Sequence, residues 1–460
     1  MLNACGKRAS AHLLRKPFVS SMRKVSLVRL KSSSALPPSA IGAPSAPLAR
    51  APYRLQIPLS FADNPDAPAA ALCITTAGII TVLVSVGGLT RLTKSGLSMV
   101  HWSPHKLSPP RTTEEWEVEF EHYKQFPEWQ QRKSMMLDDF KFIFYWEWGH
   151  RMLGRVVGGV YGAGLAALLV TKKVPKGYHG RLFGLMALGG AQGAVGWWMV
   201  KSGLGEDRRG DHREIRVSPY RLAAHLCTAF VTYSGLVWTG LELLYPAADR
   251  KQVSANAAKR VKELLAEGER SGAVKSLRRL RAAAGVTTAL TFATVASGAF
   301  VAGNSAGNAY NDWPLMNGQL FPWTDVMEDH PVNGPFYRKF FENTALVQFD
   351  HRMLAYLTSG AVAGTVLTGL KLNAGPLGAG GLGLITPQAM NALRTTGAIA
   401  VAQVSLGIST LVMNVPIHLA ATHQLGSLAL LTSGLCLSHS LRYVGTATRS
   451  LGKVSSKVLK

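Results

Sequence analysis

Apolar runs of about twenty residues dominate this 460-residue chain, and each is long enough to cross a bilayer as a helix. Eight runs can be distinguished: residues 69–89, 150–171, 182–200, 221–244, 284–303, 352–371, 393–413 and 416–440. Many contain small residues, which let membrane helices pack closely. The sequence therefore predicts an all-α integral membrane protein with eight transmembrane helices.

Charged residues lie between the apolar runs and alternate in sign from loop to loop. The loops after runs two and four and the tail after run eight are basic, and residues 246–283 alone carry a net charge of +6, whereas the short loop 201–220 is mixed. Residues 90–149 and 304–351, which follow odd-numbered runs, carry net charges of −1 and −4. The positive-inside rule then places both termini on the inner side of the membrane. This pattern accounts for the overall charge of +24 without nucleic-acid binding.

The first sixty residues have the composition of a mitochondrial transit peptide. They contain ten Lys or Arg, frequent Ser, and neither Asp nor Glu. Residues 1–60 are therefore interpreted as a transit peptide and flexible N-terminus, although a basic disordered tail would have a similar composition. We expect a multi-pass protein of the mitochondrial inner membrane, with both termini and the basic segments 245–283 and 441–460 in the matrix.

Two histidine-containing segments recur along the chain at nearly the same spacing. His-Arg-Met-Leu begins at His150 and again at His351, an offset of 201 residues (351 − 150). A Leu-Ala-Ala segment leads to His225 and, with one further residue, to His423, an offset of 198 (423 − 225). Nearly equal offsets indicate duplication of a four-helix unit. The predicted architecture is two tandem four-helix bundles, residues 69–244 and 284–440.

Each repeated histidine lies near the start of an even-numbered run, so all four imidazoles are expected near one face of the membrane. Imidazoles on facing helices of a bundle can supply both axial ligands of a haem iron, which predicts one haem site in each half. Zinc is a less favoured alternative, because the four cysteines form no ligand set. The other nine histidines, including His439, are expected to be ordinary solvated residues.

Charged residues beside these histidines suggest further roles. Glu147 precedes His150 by three positions, so both face one side of a helix, where a carboxylate could relay protons or stabilise a developing cation. A favourable interaction with the helix dipole is the alternative. Arg151 and Arg352 could bind haem propionates or extend to the interface. Asp350 is expected to be a helix cap or a partner of the neighbouring histidine.

Several segments together resemble the mitochondrial branch of the haem A synthase family. They are GGLTRLT at 87–93, SGLSM at 95–99, FIFYWEWGHRM at 142–152 and NAYNDWPLM at 308–316. The resemblance extends over about residues 70–445. Members of this family oxidise the C8 methyl of haem O to a formyl group, giving haem A for cytochrome c oxidase. Some bacterial members carry a cysteine pair in the first extramembrane loop, which this chain lacks between Arg91 and Glu147.

The resemblance implies a role for each site residue. His150 and His225, with Arg151, would bind the substrate haem O in the first half. The cofactor haem b would be bound in the second half by His351, His423 and Arg352, and Glu147 matches the catalytic glutamate of the family. The implied partners are the haem O synthase, a ferredoxin-type electron donor, cytochrome oxidase assembly factors and a second copy of the chain.

Two other functions fit part of the pattern. A di-haem b-type protein that transfers electrons from quinol could use the same four histidines, but the spacing of Glu147 and His150 and the loop motifs favour the synthase. A repeat-built transporter would place its polar residues near the middle of the bilayer, whereas here they cluster toward one face.

Overall fold

The computed structural model describes residues 63–101, 107–205, 215–245, 251–252, 255–256, 258–259, 271–328, 335–375 and 385–443. The predicted transit peptide and nearly all of the basic tail lie outside this range. Within it the chain is all-helical, with no named strand. Eight helices have 23 residues or more: α1 (Ala67–Leu92), α2 (Leu137–Val170), α3 (His179–Lys201), α4 (Pro219–Leu243), α5 (Ser271–Asn304), α6 (Thr344–Ala374), α7 (Pro387–Val412) and α8 (Ile417–Ser440).

Six of these helices are long and apolar enough to span a membrane: α1, α2, α4, α5 from Lys275, α6 and α7. This finding confirms a multi-pass, all-helical membrane protein in the part of the chain described. Helices α3 and α8 have similar lengths but do not meet that standard of apolar composition. Polar residues within them, such as Gln192, His423 and Gln424, lower their mean hydropathy.

Three of the described helices begin eight or more residues before their apolar runs. Helix α2 begins at Leu137 instead of residue 150, and α6 begins at Thr344 instead of residue 352. Helix α5 begins at Ser271, so residues 271–283, expected to be loop, are helical. Hydropathy detects only the apolar part of a helix, whereas hydrogen bonding continues through its polar end.

The cap of α6 is Asn343 and not Asp350, the residue for which a capping role was expected. Asn343 is the N-cap, and its side chain accepts a 2.7 Å hydrogen bond from the backbone N–H of Leu346. Asp350 lies inside α6 and does not cap it. Its expected role as a partner of the neighbouring histidine remains a prediction.

Helix pairs pack in the same order in the two parts of the chain. Helix α1 contacts α2 and α4, and α3 contacts α4; later, α5 contacts α6 and α8, and α7 contacts α8. Between the two groups, α4 packs on α5 and α1 packs on α8. The largest buried cluster lies chiefly in the first group and includes Phe230, Leu182 and Leu236.

Hydroxyl pairs join α5 to α6 inside the bundle. Thr287 Oγ1 lies 3.0 Å from Thr365 Oγ1, and Thr294 Oγ1 lies 2.8 Å from Thr358 Oγ1. Thr287, Thr358 and Thr365 are buried. Hydrogen bonds between helices are a recognised source of association within a membrane, where the apolar effect does not drive helices together.

The segment between α1 and α2 forms a small aromatic core with the first turns of α2. Its short helices, Thr113–Lys124 and Pro127–Gln130, pack on each other, and the first of them packs on α2. The buried rings are Trp116, Phe120, Tyr123, Phe140 and Phe144. The hydroxyl of Tyr123 donates to Glu128 at 3.1 Å, and burial raises the pKa of this phenol well above its usual value. Aromatic packing thus orders a loop that contains no cysteine.

Candidate functional site

The structure brings the first predicted histidine pair together across the bundle. The ring centroids of His150 on α2 and His225 on α4 are 6.5 Å apart, and the ring planes are inclined by 77°. A metal about 2 Å from one nitrogen of each imidazole would separate the centroids by roughly 6 Å. The spacing is therefore close to that of two axial ligands on one iron.

The second predicted pair, His351 on α6 and His423 on α8, lies in the same kind of environment. Both rings are partly buried. Their helices are linked through α5, which contacts both α6 and α8. The pairing of His351 with His423 stays a prediction.

Each of the four histidines faces a glycine on an odd-numbered helix. A Cβ atom added at the glycine would lie at the following distance from Cε1 of the ring: Gly87–His150 2.7 Å, Gly196–His225 2.9 Å, Gly298–His351 3.2 Å and Gly407–His423 2.9 Å. Carbon atoms prefer to be about 3.5–4.0 Å apart, so a side chain at any of these positions would displace the ring. Glycine is what allows each imidazole to lie against the neighbouring helix.

The glycines repeat more regularly than the histidines do. Gly298 follows Gly87 by 211 residues (298 − 87), and Gly407 follows Gly196 by 211 residues (407 − 196). Sequence analysis missed these four residues, because glycine is common throughout the membrane segments. The equal offset was the signal that could have identified them.

A glutamine on the glycine-bearing helix holds the histidine backbone in both parts of the chain. Gln192 donates to the carbonyl of His225 at 2.8 Å, and Gln403 donates to the carbonyl of His423 at 2.9 Å. These glutamines are also 211 residues apart (403 − 192). They position the histidine-bearing turns of α4 and α8, and the sequence analysis missed them as well.

The ring nitrogens differ in how they are held. Ser297 donates its hydroxyl to the Thr294 carbonyl at 2.8 Å and lies 2.7 Å from Nδ1 of His351. The Ser297 oxygen can therefore accept from Nδ1–H, which leaves Nε2 of His351 as a lone-pair donor for a metal. Nδ1 of His225 lies 3.0 Å from the Gln192 amide, whereas Nδ1 of His150 is buried without a hydrogen-bond partner.

Comparison with known proteins identifies the family of the chain. The model of the COX15-CtaA family, described as a cytochrome oxidase assembly protein, matches residues 70–435. The chain belongs to the COX15-CtaA family. The matched segment includes all four histidines and all four glycines that face them.

Relatives in this family come from mitochondria-containing organisms and from bacteria. The human protein named Heme A synthase COX15 is 43% identical over 373 residues, covering 81% of this chain and 82% of the relative. Heme A synthase of Roseobacter denitrificans is 39% identical over 348 residues, covering 75% of this chain and 81% of the relative. A Heme A synthase-mitochondrial ferredoxin fusion protein of Schizosaccharomyces pombe is 37% identical over 376 residues, covering 80% of this chain and 58% of the fusion.

The donor set of this family member suits an iron porphyrin better than a bare metal ion. Among the described residues, no group of three or more His, Cys, Asp or Glu side chains could hold a metal ion. A porphyrin supplies its own nitrogens and needs only axial ligands from the protein, which a pair of imidazoles provides. The glycine-lined helix surfaces and the free Nδ1 of His150 are consistent with that use.

Glu147 is placed beside the first pair, but its carboxylate is also tied to the loop after α1. It is 3% exposed, and Oε2 accepts hydrogen bonds from Ser98 N at 2.8 Å, Ser98 Oγ at 2.7 Å and Met99 N at 2.9 Å. Oε1 pairs with Arg151 at 2.6 Å. These contacts fix the position of the carboxylate and join the loop to α2.

The two arginines that follow the histidines anchor loops in equivalent ways. Arg151 donates to the Met99 carbonyl at 2.8 Å. Arg352 is 5% exposed and donates to the carbonyls of Leu315 and Asp312, both at 2.8 Å. Apart from the ion pair of Arg151 with Glu147, the partners described for these arginines are loop carbonyls. The propionate role expected from the sequence remains a prediction that these contacts do not support.

The remaining histidines are partly as expected, with two corrections. His122, expected to be solvated in a loop, is half-buried in the helix Thr113–Lys124 and makes an edge contact with His101 at 5.1 Å. His101, His179 and His418 are exposed, in agreement with the prediction. His439 is not a solvated residue: it is 3% exposed and makes an edge contact with Trp238 at 5.1 Å. The last turn of α8 is buried against α4, which hydropathy alone could not indicate. His12, His105, His212 and His330 lie outside the described residues.

Proposed function

We propose that this protein is a haem A synthase of the mitochondrial inner membrane, which converts haem O to haem A by oxidising the C8 methyl to a formyl group. The observation that carries the proposal is the His150–His225 pair, spaced for one iron. Relatives about 40% identical over most of the chain are named heme A synthases. The protein is accordingly a haem-dependent membrane oxidoreductase.

The two pairs are assigned to different haems. His150 and His225 bind the substrate haem O, and His351 and His423 ligate a resident haem b. This division follows from the family resemblance. The contacts at Nδ1 do not distinguish the pairs, because each pair has one ring with a partner, Gln192 for His225 and Ser297 for His351, and one ring without.

Duplication explains why the two sites are alike. We assign eight transmembrane helices to two tandem four-helix bundles, residues 69–244 and 284–440. The shared offset of 211 residues in the glycines and in the glutamines supports it, as does the repeated order of helix packing. On this topology both termini and the basic segments 245–283 and 441–460 face the matrix.

The residues around the first pair position the substrate and control its surroundings. The helix surfaces at Gly87 and Gly196 let the imidazoles of His150 and His225 lie against α1 and α3. Glu147 has a fixed place three residues before His150, so its negative charge can stabilise positive charge that develops at the substrate methyl group. Its bonds to Ser98 and Arg151 make this electrostatic role better supported than a proton relay, which would require the carboxylate to change partners.

The resident haem b would supply reversible one-electron chemistry beside the substrate site. Within the chain, His351 and His423 hold it, and α1 and α4 of the first half pack directly on α8 and α5 of the second. The fusion of a relative to mitochondrial ferredoxin supports a ferredoxin-type electron donor. The haem O synthase, oxidase assembly factors and a second copy of the chain are further proposed partners.

The assignment can be tested by haem analysis of cells that lack their own haem A synthase. Cells given the wild-type protein should regain haem A, measured by chromatography of extracted haems. His423→Ala should abolish this recovery, whereas His418→Ala is the matched control, because His418 is exposed on the same helix. Recovery of haem A with His423→Ala would contradict the assignment. A failure of the wild-type protein would favour the alternative di-haem quinol-linked function.

A further inference from the structure

Two adjacent glycines near the end of α1 serve different halves of the molecule. Gly87 faces His150, as described above. Gly88 faces Gln424 on α8, the residue directly after His423. A Cβ atom added at Gly88 would overlap the amide oxygen of Gln424 and lie 2.8 Å from its Cδ.

The Gln424 amide lies on the bare surface that Gly88 leaves on α1. Its Nε2 donates to the carbonyl of Val84 at 3.3 Å. In an α-helix the carbonyl of residue 84 points toward residue 88, one turn later on the same face. A side chain at position 88 would therefore cover the acceptor, and Gly88 is buried in this contact.

The contact is not repeated on the other side of the molecule. The position equivalent to Gly88 is residue 299 (88 + 211), which is alanine, and that equivalent to Gln424 is residue 226 (424 − 198), which is leucine. Neither residue has a side-chain amide. The duplicated helices thus pack on each other in both places, but only α8, which bears His423, is hydrogen-bonded to α1 in this way.

His423 depends on its neighbours for its orientation. Its Nδ1 is buried without a hydrogen-bond partner, unlike Nδ1 of His351, which has Ser297. The turn that carries it is held on one side by Gln403, which bonds the His423 carbonyl, and on the other by Gln424, which bonds Val84.

We infer that Gln424, whose amide packs against Gly88, is a positioning residue. Through it, the first half of the protein sets the orientation of His423 at the second-half haem. The inference rests on the proposed function and adds a residue contact that links the two sites. Removing a group that orients a metal ligand typically weakens metal binding about 10–100-fold. We therefore expect Gln424→Ala to weaken haem binding at the second site about 10-fold.

The test uses full-length protein purified in detergent, with readouts that do not depend on turnover. Haem titration gives the affinity of the second site, and the optical and electron paramagnetic resonance spectra and the midpoint potential report its axial ligands. Gln424→Ala should lower the affinity and shift the spectra and potential. Gly88→Ala should do the same, since the added methyl group displaces the amide.

Three further variants separate positioning from general destabilisation. Gly87→Ala should perturb haem O binding at the first site but leave the second-site spectra unchanged. Leu226→Ala, at the position equivalent to Gln424, should lower thermal stability without shifting those spectra. The Gly88→Ala/Gln424→Ala double variant should fold, because the methyl group enters the space vacated by the amide, and should match Gln424→Ala.

The results distinguish failure of this inference from failure of the proposed function. If the His351→Ala variant kept the same haem spectrum as the wild-type protein, the haem assignment itself would be overturned. Wild-type protein with a His351-dependent haem, together with Gln424→Ala that retains wild-type affinity, spectra and potential, would overturn only the role of Gln424. If Gly88→Ala does not fold, Gln424→Ala and the double variant still decide the question.

Discussion

Arg352 offers a direct measurement of what the arginine after each histidine does. Its side chain is 5% exposed and donates to the carbonyls of Leu315 and Asp312 at 2.8 Å and of Tyr310 at 3.2 Å. Replacement by Met keeps most of the volume but leaves these carbonyls without their donor. Hydrogen bonds to charged groups contribute about 1.5–3 kcal/mol each, and neighbouring bonds are not additive. We expect Arg352→Met to lower the free energy of unfolding by about 3–5 kcal/mol.

The experiment is best done on haem-free protein, where loop anchoring and propionate binding predict different results. Thermal unfolding can be followed by the fluorescence of Trp313 and Trp323, which lie in the loop that Arg352 holds. Arg394→Met is the matched control, because Arg394 is exposed on α7, and should change stability by no more than about 0.5 kcal/mol. Unchanged stability of haem-free Arg352→Met, together with weaker haem binding, would refute loop anchoring and support the propionate role.

Two further predictions concern the second haem site and the aromatic loop. Gly407→Ala should displace His423 and weaken haem binding, measured by haem titration; Gly189→Ala, where an added Cβ meets nothing within 4 Å, is the control, and equal affinities would contradict the role of the glycine surface. The raised pKa of Tyr123 means that its contribution to stability is complete below about pH 10 and is lost as pH rises toward its folded-state pKa. Tyr123→Phe should remove this loss of loop structure at alkaline pH, which limited proteolysis can measure. An identical pH profile in the two proteins would contradict this role of Tyr123.

Much of the site could be predicted from sequence because the chemistry is carried by repeated motifs. The shared His-Arg-Met-Leu segment identified His150 and His351, and the 198-residue offset added His225 and His423. Their predicted pairing follows from the helix order of the proposed duplicated bundle. Residues proposed to bind haem through their own side chains therefore left a recognisable pattern.

Residues that matter because they lack a side chain, or because they bind a loop, could not be recognised in the same way. Gly196 and Gly407 matter because they lack a side chain opposite a ring, and their sequence neighbours do not show which ring that is. The partners of Arg151 and Arg352 depend on the course of the loops after α1 and α5. Hydropathy also misplaced the starts of α2 and α6, because it measures the apolar character of the residues and not the hydrogen bonding of the helix.

The threonine pairs between α5 and α6 have a consequence for the depth of His351. If α6 slipped along α5 by one turn, about 5.4 Å, the bonds from Thr287 to Thr365 and from Thr294 to Thr358 would break together. Thr294 and Thr365 would keep their bonds to the Leu290 and Ala361 carbonyls of their own helices. The hydroxyls of Thr287 and Thr358 would need new acceptors in surroundings with no water to offer them. The threonines therefore fix the position of α6 along α5. They thereby set the depth at which His351 packs against Gly298, whatever the thickness of the surrounding lipid.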